Sequence, residues 1–523
     1  MKRTLLNLLG LFACLAILSS SFAQSPERFT ISGYVKEEGS GELLPGVSVY
    51  VKGQTIGTQT NKYGFYSISF SKSEELTLVY SFVGYQQVLK TLKPPKRLEL
   101  NVSLQPQSQV LEEVKVVSDA FEQQKVSETA QMSQISVPIQ QIKSIPAFLG
   151  EKDVLKVLQL MPGVQKGREG NAGIYVRGGG PDQNLLILDD APVYNAYHLL
   201  GFFSVFNGDA LKSVELTKGG FPARFGGRLS SVIEMQMKEG NREKLRGEGG
   251  IGILSARLAL DGPLTKNKKM SFLFSGRRMY GDLFYRPFIS KNQDGGYYFY
   301  DANFKINYDF GQKDKLYLSS YLGKDKGFVE DNTTPETTKG QLYWGNSTAT
   351  LRWNHLFSER LFANTSLIYS DYFFNTYLAK KTYQYDANNQ KSLRKYELDY
   401  QSGIRDMGVK VDIDYLPNPE HSLKMGFQVT NHRFVPRSFS TVDIDSAANI
   451  FLNKLSIDPI DAVETGLYLE DTYRPLSNLR INAGLRWATF SSGQASYGGL
   501  EPRLSVAWTL PRDYALKASY ATM

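Results

Sequence analysis

From residue 245 to residue 523, apolar side chains return at every second position, a period that fits strands and excludes helices. Val409, Val411, Ile413 and Tyr415 alternate with Lys410, Asp412 and Asp414, and Leu423, Met425, Phe427 and Val429 with Lys424, Gly426 and Gln428. The same holds for Leu479, Ile481, Ala483, Leu485 and Trp487, and for Leu504, Val506, Trp508 and Leu510. Segments of about ten residues, apolar on one face, polar or small on the other and capped by Tyr and Trp, fit strands between lipid and a wet lumen. A soluble sandwich alternates too, because one face covers its core. The spacing predicts about twelve to fourteen such strands, one for roughly every twenty residues.

The N-terminus narrows the choice. Lys2 and Arg3 precede an apolar run from Leu5 to Leu18, then Ser19, Ser20, Ser21, Phe22 and Ala23. This is the layout of a secretory signal over residues 1–23, removed before Gln24. The run is too short to cross a bilayer as a helix, which takes about 20 residues. Leu11-Phe12-Ala13-Cys14 is a poor lipoprotein box, with Phe beside the small residue and apolar sequence after the cysteine. No later stretch approaches spanning length, so the mature chain is either soluble outside the inner membrane or crosses a membrane as strands.

At 523 residues the chain is too long for one core and divides into two to four domains. Tyr 31 and Phe 30 rule out a mostly disordered chain. One cysteine and four histidines, at 198, 355, 421 and 432, leave no disulfide framework, no thiolate chemistry and little for a metal or catalytic cluster. The formal +8 is spread without basic runs, which points to solubility and not to nucleic acid. No cofactor, metal site or catalytic residue is expected.

Residues 28–104 read as a β-sandwich. Short strands at Ile31–Val35, Val47–Val51, Gly64–Ile68 and Leu76–Tyr80 are separated by reversals at 39–41, Pro45-Gly46 and Asn61-Lys62-Tyr63-Gly64. Gly33, Pro45-Gly46-Val47, Gly57-Thr58, Thr60, Gly64-Phe65-Tyr66 and Gly84-Tyr85 resemble the carboxypeptidase-regulatory-like domain. No His-x-x-Glu zinc motif accompanies them, since His355 and Glu359 are four apart and distant, so the domain is an accessory module. No cluster in it identifies a ligand.

Residues 105–126 form a polar linker around the β-prone octet Val110-Leu111-Glu112-Glu113-Val114-Lys115-Val116-Val117. Such a segment either adds as an edge strand to a partner's sheet or belongs to a neighbouring domain. Residues 127–240 then change to mixed α and β. Glu151–Met161 has the apolar spacing of an amphipathic helix ended by Pro162-Gly163. Three runs follow, Ile174–Gly180, Leu185–Val193 and Leu211–Gly220, each a strand ending in turn residues. Gly178-Gly179-Gly180 is followed by Pro181 and lacks the Lys-Ser/Thr of a phosphate loop, so these glycines serve turns. His198, between Tyr197 and Leu199, reads as a packed side chain.

Tyr-Val-Arg177-Gly178-Gly, Leu-Asp189-Asp-Ala-Pro-Val, Val-Glu-Leu-Thr-Lys-Gly219-Gly220 and Phe-Pro-Ala-Arg224-Phe-Gly226-Gly-Arg228 resemble, in order, the plug of TonB-dependent outer-membrane receptors. The resemblance implies a domain seated inside a transmembrane barrel, and it makes Glu113, Val114, Lys115, Val116 and Val117 the TonB box. Arg177, Arg224 and Arg228 become candidates to pair with acidic groups on the barrel wall. The last of these motifs departs from the pattern of SusC-like glycan importers, so no glycan substrate is carried over.

The expected fold is mainly β: an N-terminal β-sandwich, an α+β plug and an antiparallel transmembrane β-barrel over 245–523. The family implies 22 strands, and the 279 residues available allow under thirteen for each, so a C-terminally incomplete barrel is expected. The chain stops inside an apparent strand at Ala518–Met523, without the family's terminal aromatic. The implied activity is TonB-dependent import of an unidentified ligand across the outer membrane of a Gram-negative cell, with sandwich and TonB box in the periplasm. Its partners would be TonB with the inner-membrane energising complex, outer-membrane lipid, the ligand and a possible surface lipoprotein. An anchored surface-binding or assembly protein without energised transport is the alternative, and a secreted hydrolase with a regulatory sandwich a third. Loops at 291–296 and 331–335 are expected to carry selectivity.

Overall fold

The computed structural model describes residues 29–54, 56–70, 75–93, 95–107, 131–139, 142, 153–167, 173–198, 201–333, 335–385, 391–444, 450–511 and 514–523. The signal segment 1–23 and the octet 110–117 lie outside these residues.

The first unit is a sandwich of two four-stranded sheets. In one, Phe29–Glu37 pairs antiparallel with Phe65–Phe70 and parallel with Arg97–Glu99 and Val102–Leu104. The other runs Gly57–Gln59, Ser48–Val51, Leu76–Ser81, Val88–Leu92. Alternation places Ile31, Val49, Tyr66, Leu78 and Val102 between the sheets, where they form one apolar cluster.

The second unit centres on a five-stranded sheet in the order Ala191–Pro192, Asn184–Leu188, Ser231–Met237, Leu211–Lys218, Gln134–Pro138. Asn184–Leu188 and Ser231–Met237 run parallel. The helix expected over Glu151–Met161 is shorter among the described residues, Val154–Leu158, because Asp153 caps it and the chain turns after Leu158. Its Val154, Leu155, Val157 and Leu158 are buried against Val137, Leu216 and Ile233 of the sheet and reach Leu273 and Tyr321 of the surrounding strands.

Those strands form a 14-stranded antiparallel sheet from Arg246–Ile251 to Ala515–Ala521. Thirteen follow sequence order, and Ile450–Ser456 folds back on His421–Ile444. This matches the twelve to fourteen expected. The alternation resolves as anticipated: Met407 (58% exposed), Leu469 (51%) and Trp487 (46%) face outward, while Lys305 (2%), Asn364 (0%) and Arg486 (1%) face the enclosed unit. That polarity is inverted relative to a soluble protein and suits a sheet with lipid outside. Residues 293–296, expected in a loop, instead open the strand Gln293–Asp309, where they pair with 328–331. The glycines and polar residues that read as a turn are carried by a long hairpin continuing past the apolar band.

Candidate functional site at the seam between plug and wall

The enclosed unit meets the curved sheet through polar contacts on many sides, as expected where a lumen wall lined with polar side chains surrounds a soluble domain. Arg503 donates from Nη1 to the carbonyls of Phe221 (3.0 Å), Pro222 (2.7 Å) and Phe225 (2.6 Å). The Ala223 N–H donates to Glu470 at 2.9 Å. Gly226 lies so close to the wall that a Cβ there would be 2.4 Å from Arg486 Nε, so any other residue would have to displace the buried Arg486 guanidinium. On the opposite side Lys305 Nζ donates to the Met237 carbonyl at 3.0 Å, and Asn346 to that of Asn195 at 2.7 Å.

His198 is a further, fully buried link. Nδ1 donates to Asp325 at 2.6 Å and Nε2 to Asp301 at 2.7 Å, and the ring stacks on Phe299 at 4.0 Å. Burial works against a charged ring, and the two carboxylates outweigh it, so its pKa is pushed up to about 9. Both nitrogens act as donors, as an imidazolium requires. The packed reading of His198 stands, with a polar partnership that sequence does not reveal.

A second centre forms at Asp189 and Asp190. Both adopt left-handed backbone (φ 47° and 73°), strained for a residue with a Cβ and held here by the surrounding charges. Asp189 meets Lys305 Nζ at 2.9 Å. Asp190 receives Arg352 (3.0 Å), Ser366 Oγ (2.8 Å) and Lys62 Nζ (3.1 Å). Burial alone would raise the Asp190 pKa, but Lys62, Arg352 and Lys410 together hold it well below the usual carboxylate range. Above it a cavity of about 70 Å³ separates the two bodies, lined by Tyr194, Arg224, Arg228, Asp406, His432 and Glu464 among others.

The expected site residues divide. Arg224 faces Glu470 of the wall as well as Glu234 and Glu215 of its own sheet, and its guanidinium lies 4.6 Å over Phe225. Arg228 lines the cavity with Glu464 and donates to its neighbour Gly227's carbonyl at 2.7 Å. Arg177 does not reach the wall: it is exposed in a left-handed turn with Gly178 and hydrogen-bonds Ser133 within its own unit. The turn aims the side chain along the plug surface. Gly219 and Gly220 form a left-handed reversal whose second residue lies against Ser519. Glu113 to Val117 fall outside the described residues. Sequence reasoning missed Lys62, Arg352, Lys410 and the His198 carboxylates. Charged residues at lumen-facing parity mark a polar lumen, but nothing local shows which plug residue each will meet.

Three family models match in order: the CarboxypepD_reg-like domain over residues 31–116, the TonB-dependent receptor plug domain over 125–232, and the TonB-dependent receptor-like β-barrel over 279–522. The first takes in most of the octet 110–117. TonB-dependent receptor P26 of Formosa agariphila is 30% identical over 199 residues, 36% of this chain and 18% of that protein. TonB-dependent receptor SusC of Bacteroides thetaiotaomicron is 34% identical over 110 residues, 21% of this chain and 10% of that protein. The matched stretches thus span less than a quarter of these relatives. The outer-membrane transporter YddB of Escherichia coli shares the fold, with TM-score 0.53 at 13% identity over 74% of this chain and 60% of that one. With plug and barrel models matched in order over a plug seated within its wall, this chain belongs to the TonB-dependent receptors of the outer membrane, a family of transporters and not of enzymes.

Proposed function

We propose that the protein imports a ligand across the outer membrane by TonB-driven remodelling of the plug, with the sandwich on the periplasmic side. The observation carrying this reading is the kind of contact at the seam. The plug is held to the wall by ion pairs and hydrogen bonds around Asp190, His198 and Phe221–Phe225, which water can replace when the plug moves. A lumen meant only as an anchor would be filled more cheaply by apolar packing. On the far side of the plug, Tyr372, Phe374 and Tyr400 occupy lumen-facing positions, with Phe374 and Tyr400 6.1 Å apart. They offer flat apolar surface to an incoming ligand. Pulling would enter through Glu113–Val117, the proposed TonB-binding segment.

Deleting residues 110–117 tests this. Growth on the nutrient whose depletion induces the gene should be lost, with the receptor still displayed at the surface. Unchanged growth would leave the anchored surface-protein alternative in its place.

A further inference from the structure

The sandwich touches both the wall and the plug. The turn Asn61-Lys62-Tyr63-Gly64, bent by a left-handed Gly64 (φ 73°), leaves the sandwich and enters the seam. Asn61 Nδ2 donates to Asp414 at 3.0 Å, and Tyr63 and Phe65 pack on wall residue Phe362, with ring centroids 5.4 and 5.5 Å apart. Phe362 is 1% exposed, buried by side chains of a different domain. Around this turn, Arg360 donates to Thr30 Oγ1 (2.6 Å), Arg474 to the Gly57 carbonyl (2.7 Å), and the Glu42 carboxylate accepts the N–H groups of Glu239 and Gly240 (2.9 Å each). At the tip, Lys62 Nζ lies 3.1 Å from Asp190 and 3.4 Å from Glu234, both plug carboxylates.

This placement has a direct energetic consequence. Asp190 and Glu234 both face Lys410 from within the plug, and Lys62 is the cation brought to them by the sandwich. Withdrawing the sandwich removes the cation that bridges both carboxylates, leaving Asp190 to Arg352, Ser366 and Lys410 and Glu234 to Arg224 and Lys410, which weakens the plug's hold in a confined seam. We infer that the N-terminal sandwich is a brake on the plug, that Lys62 is its positioning residue, and that the domain must disengage before the plug can rearrange. The role rests on the import reading for its purpose but not for its test.

The test is potassium chloride current through planar phosphatidylcholine bilayers holding the full-length receptor, recorded as urea is raised until the plug gives way. Lys62→Glu should open the lumen at a urea concentration lower by roughly 1 M. Lys62→Gln, which removes charge without adding any, should shift it the same way by less. Combining Lys62→Glu with Glu234→Lys should return the midpoint towards that of the parent, a rescue that simple damage to the sandwich would not show. Lys62 sits on a turn outside the sandwich core, and retained heat-modifiable migration of the barrel verifies folding. Equal midpoints for parent and Lys62→Glu, or no recovery in the double variant, overturn the inference. The current needs no TonB, so a negative result leaves the uptake experiment standing, and a failed uptake experiment leaves this one standing.

Discussion

At the scale of single residues, His198 is the point where protonation and plug docking are linked. Its neighbours are Asp301 and Asp325, with Arg277 and Tyr321 on the first carboxylate and Tyr297 on the second. The docked ring titrates near 9, and an exposed imidazole near 6.5. A raised pKa stabilises below the free value and loses that contribution as pH climbs through the bound one. Plug docking should therefore be full at pH 6 and weaken progressively towards pH 9, by at most roughly 3 kcal/mol. The urea needed to open the lumen should fall over that window, and His198→Gln should flatten the dependence while lowering the midpoint throughout. A parent profile that rises with pH would exclude the imidazolium.

At the scale of elements, the strand Gln134–Pro138 stands out because it is an edge of the plug sheet and the first described plug strand after the proposed TonB-binding segment. Among the described residues it pairs only with Leu211–Lys218, over five residue pairs. Tension from upstream reaches this ladder before the rest of the plug, and a short edge ladder is easily parted. Ser136 and Glu215 are directly opposed, at a spacing that suits a cross-strand disulfide. Ser136→Cys with Glu215→Cys should abolish nutrient-dependent growth under oxidising conditions and restore it on reduction, with surface display constant throughout. The elements themselves were largely legible: the sandwich strands, the strands after Gly173 and the alternation of the wall all follow from local pattern. The helix was overextended because Met161 continues the apolar spacing and is buried, 5% exposed, although the chain has already turned after Leu158. The seam was not legible, since Lys62 and Asp190 are 128 positions apart and Asn61 and Asp414 353. An Asn-Lys-Tyr-Gly reversal looks the same whether it faces solvent or a partner domain.

At the scale of the whole molecule, the wall strands are far longer than the membrane requires. Leu361–Tyr385 and Lys391–Tyr415 have 25 residues each, roughly 80 Å of chain, against an apolar band of about 25 Å. The outward apolar stripe that includes Met407, Val409, Phe427, Val429, Leu467 and Leu469 marks that band. Val409→Arg should cost about 2–4 kcal/mol in folding into bilayers, whereas Lys410, inward at the next position, should be replaceable by Arg with little effect on insertion. Equal costs at the two positions would contradict the assignment of faces. Connectivity adds a mechanical corollary. The proposed docking segment is tethered on both sides: behind it to Val102–Leu104, which lies parallel to Phe29–Glu37 over three residue pairs, and ahead of it to the edge ladder at Gln134–Pro138. A tug applied between two anchorages is shared by them, as weight is by the two ropes of a hammock. Whichever knot slips first decides whether the periplasmic module swings free or the cork begins to unravel.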